Sequence, residues 1–156
     1  MTAAPPWLDE AKQRIIGFEG EVRNKAGRHA LYRCPAGKLT IGHGHNVEDL
    51  GLSDAVVDMI DEENLAAALA ELDQRIPWWR EHPKEVGIVL FDMMFNMGWG
   101  DGTGGLSSFR AMLPAIRAQQ YEYAARLMRR SKYARDVGDR AKENAALLER
   151  AAQSGE

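Results

Sequence analysis

Apolar residues recur at helical spacing in several stretches of the 156-residue chain. Trp7, Ala11, Ile15 and Phe18 fall on one face, which predicts an amphipathic helix over 7–18. Pro5 and Pro6 precede it, where a missing N–H costs nothing, and Gly17 and Gly20 flank its end. From Ser53, a good N-cap, the positions Val56, Val57, Ile60, Leu65, Leu69, Leu72 and Ile76 predict a long helix ending at Pro77. The run VGIVLFDMMFNMG after Pro83 is apolar nearly all round, as a central core helix is. FRAMLPAIRAQ, a segment around YEYAARLMRR and a last helix near DRAKENAALLERA complete a helical C-terminal part.

Residues 21–49 break this rhythm. Gly27, Pro35, Gly37, Gly42 and Gly44 interrupt the β-favouring pieces ALYR and KLTIGHG. The pattern predicts two or three short antiparallel strands with a turn at CPAGK. The order is helix, small sheet, long helix, helical lobe, which makes the fold α+β, mostly α. Its length suits one domain, residues 1–156, with two lobes. The sheet lobe is 20–52, the linking helix 53–76, and the helical lobe 77–156 together with helix 7–18.

Composition excludes several classes. Apolar residues are 45% and charged residues 28%, so neither disorder nor a membrane class is suggested. No apolar run reaches the roughly 18 residues a bilayer span needs. The start MTAAPPWLDEAKQR lacks the basic region of a signal peptide, which predicts synthesis and retention in the cytoplasm. The lone Cys34 permits no internal disulfide. The net charge of −3 is uneven: residues 1–104 hold 10 Lys+Arg against 17 Asp+Glu, and 105–156 hold 10 against 6. The basic end could draw an anionic polymer, or be only a solvated helix face. RLMRRSKYAR lacks a nucleic-acid motif, and no nucleic-acid partner is expected.

Candidate chemistry begins at Glu19, at the end of the apolar segment IIGFEG. A glycosidic bond is cleaved by an acid that protonates the leaving oxygen and a second group that assists at the sugar carbon. The acid must hold its proton near neutral pH, which an apolar surround promotes. A glutamate at a helix end is more often simply solvated. The sheet segment then supplies Cys34 and, after the five residues PAGKL, Thr40, followed by TIGHGH.

Glu19-Gly20, the Cys34–Thr40 spacing and TIGHGH together resemble the phage-type lysozymes, the endolysins of glycoside hydrolase family 24. Their pattern is a Glu, then Asp or Cys, then five residues, then Thr. FNMGWGDGTGGLSSFRAML (95–113) is similar to the family's core helix, glycine-rich turn and next helix, and GDRAKE (138–143) to its late arginine-bearing segment. The resemblance spans roughly residues 12–150.

It implies a lysozyme-like fold with a cleft between the lobes. The implied activity is hydrolysis of the bond between N-acetylmuramic acid and N-acetylglucosamine in peptidoglycan. It implies Glu19 as general acid, Thr40 as holder of the attacking water, and Cys34 at a position that is aspartate in the best-known members. Arg140 is expected near Glu19. His45 is expected to be structural, with Glu63 a candidate partner. His43, Asn96, Trp99 and Arg140 are the candidate glycan contacts. The stretch EVRNKAGRHA lengthens the path from Glu19 to Tyr32 beyond that of the shortest members, and is assigned to a loop at the cleft rim.

The thiol of Cys34 leaves three mechanisms open: nucleophile, base for a water, or mere packing beside a slow Glu19. A non-catalytic peptidoglycan-binding module and a virion-associated lysozyme remain alternatives. The HxH of His43 and His45 has no third ligand at suggestive spacing, so no metal is expected. No cofactor is implied, the protein is expected to be a monomer, and wall access is expected through holin pores. Met93, Met94 and Met97 with Phe91 and Phe95 read as core packing. Burial is the expected role for at least one of Trp78 and Trp79.

Overall fold

The computed structural model describes residues 5–153. It is mostly helical with one small antiparallel sheet, an α+β architecture. Contacts divide the chain into two compact units, Met1–Asp58 and Met59–Glu156.

The first unit opens with α1, Leu8–Glu19. Asp9 and Glu10 in its first turn suit the positive end of the helix dipole, and Gly20, at φ 66°, ends it. No side chain of α1 is buried; Trp7, Ile15 and Phe18 are exposed. α1 falls in the same compact unit as the sheet.

Three short strands follow, β1 (Tyr32–Arg33), β2 (Leu39–Ile41) and β3 (His45–Asn46), in the order β1-β2-β3. Both pairings are antiparallel, with Tyr32 opposite Thr40 and Thr40 opposite Asn46. The CPAGK turn closes through Cys34 N–H to the Lys38 carbonyl and Gly37 N–H to the Cys34 carbonyl.

A one-turn helix α2, Val47–Leu50, was not apparent from the sequence. The Asn46 side chain caps it by accepting from the Asp49 amide. Glu48 of α2 accepts the Leu39 amide of β2, and Lys38 reaches both Glu48 and Asp49.

The long helix α3 runs Asp54–Arg75, within a residue of its expected ends. The second unit then holds a 3₁₀ turn at Trp79–Glu81, α4 (Lys84–Met97), a second such turn at Leu106–Ser108, α5 (Met112–Arg117), α6 (Tyr121–Arg130), α7 (Lys132–Val137) and α8 (Asp139–Gln153). α4 is the core helix: Val86, Val89, Leu90, Met93 and Met94 are buried, and α8 packs against it. Met97 and Phe91 are half-buried against that core, whereas Phe95 is exposed. Trp78 and Trp79 also pack there, with the Trp79 indole N–H on Asp73.

The glycine-rich turn after α4 needs its glycines. A Cβ on Gly100, at φ 77°, would lie 2.0 Å from the Gly104 carbonyl oxygen. Asp101 holds the same turn by accepting the Thr103 amide and hydroxyl and the Gly104 amide.

Among the described residues no helix is long and apolar enough to cross a membrane.

Candidate active site

The first unit carries Glu19, Cys34, Thr40 and His43. Glu19 is the last residue of α1, and the turn at Gly20 directs the chain away beyond it. Its carboxylate lies against Gly44 in the turn between β2 and β3: a Cβ there would stand 2.9 Å from Glu19 Oε2. Gly44 has φ 89°, so the turn demands glycine for its backbone and leaves room for the carboxylate. Two separate pieces of the motif, the EG pair and TIGHGH, are thus in contact. The expected apolar surround is not what the first unit provides. Glu19 is exposed, as is Phe18 beside it at 82%.

Cys34 directly follows β1 and begins the CPAGK turn. Its thiol is half-buried, and its pKa is held below the ordinary thiol value. The backbone hydrogen bond from Lys38 is the chief cause. Partial burial opposes it, and hydrogen bonds from the Ala36 backbone and the Thr40 side chain add to it. Donors converging on sulfur stabilise the charged form.

Thr40, in the middle of β2, is only 2% exposed. Its hydroxyl donates to the Lys38 carbonyl at 3.0 Å and also lies within hydrogen-bonding reach of the thiol. One hydroxyl carries one proton, so it serves the carbonyl beside a thiol and can turn to a thiolate.

The two histidines of TIGHGH separate in role. His45 places Nε2 2.7 Å from the Gly51 carbonyl and ties β3 to the chain beyond α2. At that distance the ring nitrogen must carry the proton and donate. His43 turns to Glu21, with Nε2 3.5 Å from Oε2. Among the described residues no three His, Cys, Asp or Glu side chains are grouped so as to hold a metal ion.

Asn96, Trp99 and Arg140 belong to the second unit. Asn96 is exposed on α4. Trp99 is half-buried against the core, with the Arg75 guanidinium 5.8 Å from its ring centre. Arg140 of α8 grips Asp92 of α4 through Nε and Nη2, at 3.0 and 2.7 Å, and Asn144 donates to the same carboxylate at 2.7 Å. Burial raises the Asp92 pKa, but the hydrogen bonds from Arg140 and Asn144 and the charge of Arg140 outweigh it, so the net displacement is downward. The sequence reading did not single out Asp92, and an Asp amid FDMMFNM gives little sign of a partner 48 residues away.

The second unit also contains a hollow of about 410 Å³, whose lining includes Met97, Ser108, Phe109, Ser131, Lys132 and Tyr133. Phe109 and Tyr133 meet edge to face there, with centroids 5.9 Å apart.

No protein-family model matches the chain, and a search of curated proteins finds no match. The resemblance to phage-type lysozymes rests on the sequence motifs alone.

Proposed function

We propose that the protein is a lysozyme-like glycoside hydrolase that cuts the bond between N-acetylmuramic acid and N-acetylglucosamine in peptidoglycan. The observation that carries this reading is the seat of the Glu19 carboxylate on Gly44 of TIGHGH. It brings together the two parts of the motif that the family resemblance assigns to catalysis.

In this mechanism Glu19 protonates the leaving oxygen. Glu19 is exposed, so the bound sugar itself must supply its apolar cover. Cys34 is the second group. Hydrogen bonds that favour the thiolate suit either attack on the sugar carbon, with retention, or activation of a water, with inversion. Buried Thr40 can turn its hydroxyl from the Lys38 carbonyl to donate to the thiolate. In the second unit, Asn96 and Trp99 are candidate glycan contacts. Arg140 serves Asp92 and so shapes the α4–α8 pair.

The biological reading is an endolysin released to the wall through holin lesions, working as a monomer without a cofactor. The test is loss of turbidity of outer-membrane-permeabilised cells. The native protein should clear the suspension, and Glu19→Gln should lower the rate by about a hundredfold or more. Wall binding with no clearing would favour the rival, a non-catalytic glycan-binding module.

A further inference from the structure

The stretch between Glu19 and Tyr32, read from the sequence as a rim loop, has internal order. Ala30 N–H donates to the Val22 carbonyl and Asn24 N–H to the Arg28 carbonyl, with an antiparallel bridge between Arg23 and His29. The Asn24 side chain accepts the amides of Ala26 and Arg28 and so closes the tip. This small hairpin carries charge toward one carboxylate, Glu21.

Arg23 donates to both Glu21 oxygens at 2.7 Å and to the Gly27 carbonyl at 2.6 Å. Its Nη2 also lies 3.3 Å from His29 Nε2. A guanidinium only donates, so His29 Nε2 accepts and the ring proton sits on Nδ1. That Nδ1 lies 3.5 Å from Glu21 Oε2. From the other side, His43 Nε2 stands 3.5 Å from the same oxygen, and the two imidazoles meet edge to face at 5.5 Å.

We propose that Glu21 is a positioning residue for Glu19. It lies two residues beyond Glu19, and His43 directly precedes Gly44. The segment 19–21 and the turn 42–45 therefore touch twice, at Glu19–Gly44 and at Glu21–His43. The second contact holds the turn on which the Glu19 carboxylate rests. Arg23 and His29 fix the Glu21 carboxylate in the orientation this requires. The catalytic consequence rests on the proposed function; the placement of Glu19 does not.

Glu21→Gln and His43→Gln remove the tether from its two ends. In the ligand-free full-length protein, both should shift the side-chain carboxyl carbon resonance of Glu19 and the amide resonance of Gly44. In peptidoglycan digestion both should lower kcat by about tenfold with KM within about twofold, because a small misplacement of a reacting group costs rate more than binding. The double variant should lose no more than the worse single one, since both act through one contact. Unmoved Glu19 and Gly44 resonances in both variants, or native kcat in both, overturn the proposal. A native protein that cuts no glycan overturns the hydrolase reading instead. The resonances alone then decide whether Glu21 sets Glu19.

Discussion

At the scale of single residues, Cys34 carries the sharpest chemical distinction. Hydrogen bonds from Lys38, Ala36 and Thr40 depress its pKa. A depressed acid contributes stability above its unfolded value, and that contribution is lost as pH falls through the folded value. Labelling of native protein with iodoacetamide should therefore reach half its maximal rate at lower pH than labelling in urea, where the thiol titrates near 8.5. Equal midpoints would remove the thiolate from the mechanism. The same thiol separates the chemical roles. Cys34→Asp should keep much of the lytic rate and Cys34→Ser should lose most of it, whereas Cys34→Ala lysing at the native rate would make the sulfur a bystander. Asp92 offers a residue-scale test in the second unit. Asp92→Ala leaves Arg140 and the buried Asn144 without their acceptor, and urea unfolding should show a loss of about 1–3 kcal/mol.

At the scale of elements, turns discriminate more sharply than helices. Gly44→Ala meets only the movable end of Glu19, but it forces alanine to φ 89°. It should cost about 1–2 kcal/mol and displace the acid, lowering activity. Gly100→Ala drives a Cβ to 2.0 Å from a backbone oxygen. The backbone cannot yield as a side chain does, so the loss should be on the order of 3 kcal/mol or more. Thermal unfolding of the two variants checks the ranking, and equal losses would contradict it.

Elements with strong periodicity were legible in the sequence. α1, α3 and α4 fall within a residue or two of where Ile15, Leu72 and Met93 place them. The sheet was legible from its glycines and β-favouring pairs. α2 was not, because VEDL is four residues long and held by Asn46. α7 was not apparent either: Ser131 accepts from the Ala134 amide and starts a six-residue helix within the basic run. The site followed the same rule. Of the candidate site, the five residues between Cys34 and Thr40 are a spacing that sequence carries directly. Glu21, His29 and Asp92 matter through partners that only folding brings near, and no periodicity encodes those.

At the scale of the molecule the two units are built unequally. Every buried apolar side chain among the described residues lies between Ala68 and Ala151. The first unit is held instead by short ladders, caps and exposed ion pairs such as Lys38–Asp49 and Arg23–Glu21. Exposed pairs contribute about 0–1 kcal/mol each. Local stability should therefore differ widely within one chain. Hydrogen exchange on the full-length protein should show amides of the sheet and α1 exchanging through low-energy openings, while those of α4 and α8 exchange only near the global limit. Uniform protection across both units would contradict this division.

The proposed reaction makes its own demand on the whole protein. Mass spectrometry of peptidoglycan digested by the native chain tests it most directly. Fragments with new reducing N-acetylmuramic acid ends are expected, absent after digestion with Glu19→Gln. Glycan strands left uncut, or cut with N-acetylglucosamine at the reducing end, would contradict it.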